Sequence, residues 1–255
     1  MPYVETAGGD LFYTLSAGPP DGPTVVLVHG AGGTRLHWPA ELRRLSSATV
    51  YTLDLPGHGR SGGRGHETIQ GYARAVVAFL RTIGNERPVI AGHSMGGAIA
   101  QTLALDFPTH VGGLVLVATG ARLRVAPAIL EAIRGDFERS MELITRFAWS
   151  SEAPRQLIEL GQRALLETGS DVLLGDFLAC DRFDVIERLG EIETPTLIVT
   201  GTADQLTPVK YARFLVDHIS DARYVTIEGA GHMVMLERRA VVAEVMLQFL
   251  NGGPD

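Results

Sequence analysis

A serine with glycine two residues away on either side, in Gly92-His93-Ser94-Met95-Gly96, is the stretch of this chain best suited to covalent chemistry. The apolar run Pro88-Val89-Ile90-Ala91 precedes it and the small, helix-permissive run from Gly97 to Leu105 follows. This pattern predicts a serine on a sharp turn between a buried strand and a helix. The apex of such a turn is conformationally strained, and glycine at 92 and 96 removes the side chains that would collide there. A hydroxyl is a weak nucleophile at neutral pH and needs an imidazole beside it, held by a carboxylate. Of the eight histidines, His232 stands in the small-residue loop Glu228-Gly229-Ala230-Gly231-His232-Met233, just after the last predicted strand. Asp204, in Gly201-Thr202-Ala203-Asp204-Gln205-Leu206-Thr207-Pro208, follows the strand before it. Each has a plainer reading by itself: a glycine-rich turn, a solvent-exposed loop histidine, a helix cap ahead of Pro208. In the order Ser94, Asp204, His232 they predict a nucleophile, the acid that orients its base, and the base.

Attack on a carbonyl also needs donors for the developing oxyanion. The amide of Met95, at the start of the helix after Ser94, is one candidate. The amide of Ala31, in the loop His29-Gly30-Ala31-Gly32-Gly33 after the strand Val25 to Val28, is the other. Around these, Gly30, Gly32, His93, Leu206 and Met233 are expected near a substrate, with Phe137, Met141 and Trp149 reaching it from a separate segment.

The elements that must position these groups are legible as periodicity. Strand candidates are Val25 to Val28, Thr49 to Leu53, Val89-Ile90, Leu114 to Val117, Thr196 to Val199 and Arg223 to Ile227. Several are apolar throughout, as burial on both faces of a parallel sheet requires. Helical spacing is clearest at Ile69, Tyr72, Val76, Leu80 and Ile83, and at Val242, Val245, Met246, Phe249 and Leu250. The alternation predicts an α/β fold with helices on both faces of a mostly parallel sheet. Leu11 to Leu15 follows Gly8-Gly9-Asp10 with no helix between, so an antiparallel hairpin is expected at the N-terminus. Between about 121 and 192 the strand pattern stops, and arginine, glutamate and leucine recur at helical spacing. This segment is expected to be an inserted helical cap, with Leu130, Ile133, Phe137, Met141, Ile144 and Ala148 on one face of a helix and Phe147 and Trp149 nearby.

The 255 residues, 45% of them hydrophobic, suffice for a large core. A formal charge of −7 disfavours nucleic acid and anionic membranes as partners. One cysteine, Cys180, excludes an internal disulfide and any multi-cysteine metal centre, and is expected to be an apolar filler. No apolar run reaches the length of a membrane span and the first ten residues lack a basic, apolar leader, so a cytoplasmic protein without membrane attachment is expected.

With these residues in hand, the chain resembles the α/β-hydrolase superfamily over essentially its whole length. The resemblance rests on His29 to Gly33, Asp54-Leu55-Pro56-Gly57-His58-Gly59-Arg60-Ser61, Gly92 to Gly97, Gly201 to Asp204 and Gly231-His232. It implies an eight-stranded sheet, with residues 1–120 and 193–255 as the core and 121–192 as a cap inserted after the sixth strand. It also implies a Ser94-Asp204-His232 triad, an oxyanion hole from Ala31 and Met95, structural roles for Asp54 and His58, and no cofactor or metal. The expected activity is hydrolysis of a small-molecule carboxylic ester through an acyl-enzyme on Ser94. The alternatives are a carbon-carbon bond hydrolase or enol-lactonase acting on a carboxylated substrate, for which the segment offers Arg122, Arg124, Arg134, Arg139 and Arg146, or a ligand-binding receptor of the same fold. A serine rather than an aspartate at the turn argues against epoxide hydrolysis and dehalogenation.

Overall fold

The computed structural model describes residues 2–6, 8–84 and 87–252. Its centre is an eight-stranded sheet of β1 (Tyr3–Thr6), β2 (Gly9–Ser16), β3 (Thr24–Val28), β4 (Thr49–Leu53), β5 (Val89–His93), β6 (Gly113–Val117), β7 (Thr196–Gly201) and β8 (Ala222–Ile227), in the order β1-β2-β4-β3-β5-β6-β7-β8. The N-terminal hairpin is antiparallel, and so is its junction with β4. From β4 to β8 every neighbour is parallel. The loops that leave the carboxyl ends of β3, β5, β7 and β8 therefore gather on one edge, which is where Ala31, Ser94, Asp204 and His232 stand.

The helices are α1 (Ala40–Arg43), α2 (Ile69–Ile83), α3 (Met95–Asp106), α4 (Pro127–Gly135), α5 (Phe137–Ala148), α6 (Arg155–Thr168), α7 (Ser170–Arg182), α8 (Val209–His218), α9 (Val234–Glu237) and α10 (Arg239–Leu250). Side chains alternate across the central strands, so each strand feeds two cores. Val26 and Val28 of β3, with Leu114 and Leu116 of β6, pack with Tyr72, Val76 and Phe79 of α2. Val25 and Leu27, with Val115 and Val117, pack on the other face with Leu42 of α1 and Val242 and Met246 of α10. This two-sided burial explains why β3 and β6 read as continuous apolar runs.

Between β6 and β7 lie α4 to α7, which carry a third apolar cluster of Ile129, Ile133, Met141, Ile144, Leu165 and Leu173. The single helical face expected from Leu130 to Ala148 is two helices. Gly135 ends α4, and Asp136, at φ −151° and ψ 85°, accepts from the Arg139 amide at 3.0 Å to cap α5. The apolar spacing continues through the break because both helices pack on the same cluster. A side-chain cap outcompetes a continuous helix at a glycine-aspartate pair.

At the β5–α3 junction Ser94 adopts φ 53° and ψ −115°. The backbone crowds it so closely that a Cβ built on Gly92 falls 2.1 Å from the Gly96 carbonyl oxygen, and one on Gly96 falls 2.2 Å from the Val28 carbonyl oxygen. Gly96→Ala is therefore expected to destabilise the fold by about 1–3 kcal/mol or more, read as a lower urea midpoint. Gly190→Ala, whose added carbon meets nothing within 4 Å, should stay within about 0.5 kcal/mol of the parent.

Candidate active site

Strain at Ser94 is sustained by hydrogen bonds to the neighbouring strand. The Ser94 amide donates to the Val117 carbonyl at 2.9 Å, and the Thr119 hydroxyl donates to the Ser94 carbonyl at 2.8 Å. The first turn of α3 closes on the same carbonyl, from the Gly97 and Ala98 amides. The side chain is thus aimed away from the sheet, into a cavity of about 330 Å³ that it lines together with His232, His93, Ala31, Leu206 and Met233.

His232 and Asp204 are held by the two turns after β8 and β7. Asp204 Oδ2 accepts from His232 Nδ1 at 3.0 Å and from the Thr207 hydroxyl at 2.7 Å. Its Oδ1 accepts from the amides of Leu206 and Thr207 at 2.8 and 2.9 Å. Burial by itself would raise the carboxyl's pKa, but the His232 ring and the Thr207 donors outweigh it and bring the value to about 2. An ionised Asp204 fixes the proton of His232 on Nδ1 and leaves Nε2 as the basic nitrogen. The His232 backbone is anchored as well, its carbonyl accepting from His93 Nε2 at 3.0 Å.

Among the described residues, no protein group accepts a hydrogen bond from the backbone amide of Ala31 or of Met95. Ala31 lines the cavity and Met95 opens α3 directly after Ser94. A hydroxyl at a strained turn, an imidazole with a free basic nitrogen and two unengaged amides at one edge can together support acyl transfer.

Of the residues expected around a substrate, His93, Leu206, Met233 and Trp149 line the cavity. Gly30, Gly32, Phe137 and Met141 do not. Gly30 packs beneath the wall, where an added Cβ would be 2.9 Å from His93 Nδ1. Gly32 is buried, its amide donating to Asp176 Oδ2 at 2.7 Å and its carbonyl accepting from the Thr168 hydroxyl at 2.9 Å. Met141 belongs to the cluster between the inserted helices and Phe137 packs on it, so their stripe serves packing within the insertion. The insertion instead reaches the cavity through Ile129, Ile144, Leu165 and Phe177. Cys180 is also in the wall, where burial pushes its thiol pKa up and keeps it neutral. Of the arginines, only Arg124 borders the cavity, exposed, with Nη1 donating to the Asp181 carbonyl at 3.2 Å.

Sequence reading missed Thr207 and Thr119, which hold the acid and the serine turn. The hydroxyl three residues after Asp204, in the pattern of a side-chain-capped turn, was the available signal for the first. It also missed Asp176. This α7 carboxylate is fully buried and accepts from Gly32, from His58 Nε2 at 2.8 Å and from the Tyr72 hydroxyl. Asp54 and His58 are structural, as expected: Asp54 accepts from Arg35 and from the Arg60 amide. His58 Nδ1 faces the Pro56 carbonyl at 3.0 Å while Nε2 faces Asp176, so both nitrogens donate and the ring is an imidazolium. Burial alone would lower its pKa, but Asp176 raises it above the ordinary value.

Among the described residues no helix is long and apolar enough to cross a membrane, and no group of three or more histidine, cysteine or acidic side chains could hold a metal ion.

Residues 25–245 match the family model described as "Alpha/beta hydrolase family". A putative carbamate hydrolase of Variovorax paradoxus is 31% identical over 248 residues, covering 91% of this chain and 93% of that protein. A 2-hydroxy-6-oxo-6-phenylhexa-2,4-dienoate hydrolase of Comamonas testosteroni is 26% identical, covering 90% and 88%. Among solved structures, a thermophilic esterase superposes with a TM-score of 0.86 at 35% identity, covering 98% of this chain and 96% of its own.

The buried histidines around the site set its acid stability. Burial, then the nearby His58 charge, lowers His37 to about 4, and burial also lowers His29 and His93. A group depressed in the folded state takes up protons mainly on unfolding, so its contribution is full above about pH 6.5 and is lost as the pH falls through the folded value. Tm is expected to fall steadily between pH 6.5 and pH 4. His37→Gln should flatten that slope by the equivalent of about 3 kcal/mol across the window, measured by thermal denaturation at each pH.

Proposed function

The chain belongs to the α/β-hydrolase family, and on that footing we propose that it is a serine hydrolase of small-molecule carboxylic esters. Ser94 is the nucleophile, His232 its general base and Asp204 the acid that orients the base. His232 Nε2 takes the hydroxyl proton as Ser94 Oγ attacks the ester carbonyl. The oxyanion of the tetrahedral intermediate is received by the amides of Ala31 and Met95. Collapse expels the alcohol, protonated by His232, and leaves an acyl-enzyme on Ser94. Water deprotonated by His232 then attacks the acyl carbon, and the acid departs as Ser94 recovers its proton. Helices α4 to α7 act as a cap that shields these steps from bulk water.

The observation that carries this reading is the strained Ser94 turn facing the same cavity as a histidine whose Nδ1 is held by a buried, ionised aspartate. The mostly apolar wall supports an uncharged substrate, and the name of the thermophilic esterase supports an ester. Ser94→Ala is expected to lower turnover of p-nitrophenyl acyl esters by about 10⁴-fold or more and to abolish labelling by a serine-directed fluorophosphonate. Undiminished turnover in that variant would exclude Ser94 as nucleophile. A single slow turnover by the parent chain with persistent product binding would point to a ligand-binding protein.

Arg124 at the cavity wall favours a second reading, a carbon-carbon hydrolase or enol-lactonase whose substrate carries a carboxylate. In that case Arg124→Gln should raise KM about tenfold for an ester with a distal carboxylate while leaving a neutral p-nitrophenyl ester unaffected. Equal behaviour of the two esters removes this reading.

A further inference from the structure

Gly32, next to the proposed oxyanion donor Ala31, is held by the inserted helices at both ends of its backbone. Its amide donates to Asp176 of α7 at 2.7 Å, and its carbonyl lies 2.9 Å from the hydroxyl of Thr168, the last residue of α6, whose one proton it shares with the Ala164 carbonyl at 3.0 Å. Its conformation, φ +63°, suits glycine, and Leu165 of α6 and Leu173 of α7 close over it so tightly that an added Cβ would lie 2.4 and 2.6 Å from their methyl groups. The Asp176 carboxylate is itself fixed, by the buried His58 imidazolium on the oxygen that binds Gly32 and by the Tyr72 hydroxyl on the other.

We propose that Asp176 and Thr168 are positioning residues through which the cap sets the oxyanion loop, holding Gly32 so that the Ala31 amide points into the cavity. The inference rests on the serine-hydrolase reading above. Rotating the Gly32 peptides would withdraw the neighbouring amide from the oxyanion, and misplacement of such a donor lowers the rate of the chemical step more than it weakens substrate binding. The cap is therefore part of the catalytic geometry as well as a cover. An asparagine at 176 keeps an acceptor oxygen for Gly32 and His58 while Tyr72 turns its hydroxyl to accept, so it preserves the hydrogen bond to Gly32, at a cost in stability from the lost counter-ion of the buried His58 imidazolium.

The test is p-nitrophenyl ester kinetics on the full chain, with fluorophosphonate labelling of the parent and backbone hydrogen exchange over residues 30–34. Asp176→Ala is expected to lower kcat about 10- to 100-fold with KM within about threefold, and to speed exchange in that segment. Asp176→Asn should restore kcat to within about threefold of the parent, and Thr168→Val should lower it about three- to tenfold. Arg182→Ala removes the hydrogen bonds from α7 to the Glu67 carbonyl and carboxylate without touching Asp176 or Gly32. It should leave kcat unchanged. If Asp176→Ala does not fold, Thr168→Val alone decides. An unchanged kcat in Thr168→Val together with an unaffected, folded Asp176→Ala, or in Thr168→Val by itself where Asp176→Ala does not fold, overturns the proposal, as does equal loss of kcat in Arg182→Ala and Asp176→Ala, which marks general cap-core adhesion. A parent that turns over ester but is unlabelled at Ser94 overturns the serine-hydrolase reading, and this inference with it.

Discussion

The backbone turn at Ser94 is the constraint on which the rest of the site depends. A non-glycine residue at φ 53° and ψ −115° is costly, of the order of 1–3 kcal/mol, and persists only where its surroundings leave no alternative. Here the alternatives are closed from three sides. Val117 and Thr119 take up the serine's amide and carbonyl, the first amides of α3 converge on the same carbonyl, and the backbone of β3 passes so near Gly96 that no side chain fits between them. The backbone that carries the hydroxyl is fixed by strands and a helix rather than by a loop, which is the rigidity that precise placement of a reacting atom would require.

Parallel pairing extends that constraint to the other groups. Because β3, β5, β7 and β8 run in one direction, the loops bearing Ala31, Ser94, Asp204 and His232 meet at one edge although the sequence separates the first and last by about 200 residues. Burial there makes electrostatics decisive. Asp204 would be disfavoured as an anion if it were alone, yet four hydrogen bonds from His232, Leu206 and Thr207 keep it ionised. The neighbouring histidines divide by their partners. His29 donates from Nδ1 to the Gly30 carbonyl and accepts from the Leu55 amide at Nε2, so it is neutral, whereas His58, facing two acceptors, is charged.

The charged His58 and the buried Asp176 join three parts of the molecule: the turn after β4, helix α2 through Tyr72, and the insertion through α7. An ion pair in the interior contributes little net stability, and its usual value lies in fixing one arrangement among several. In this chain the arrangement fixed is that of the loop after β3 against the inserted helices. Some of the hydrogen bonds that seat the insertion, those of Asp176 and Thr168 to Gly32, also hold the loop.

The sequence by itself determined the sheet and pointed to the candidate site residues that the structure brings to one edge. Two-sided apolar runs identified β3 and β6, helical spacing identified α2 and α10, and the small residues around Ser94 and His232 marked turns whose geometry few other sequences can adopt. These are local signals, written in residues within one element of each other. Tertiary structure alone decided which side chains face the cavity. Phe137 and Met141 share a helical stripe with Ile144, yet the break at Asp136 and the packing of α6 and α7 turn them into the insertion's own core and leave Ile144 at the wall. Likewise, an aspartate in the middle of α7 reads as a solvated helix face. Only the approach of Gly32, His58 and Tyr72, residues 104 to 144 positions away, makes it a buried hub. Burial and partner choice depend on contacts between distant segments, and periodicity along one segment carries no record of them.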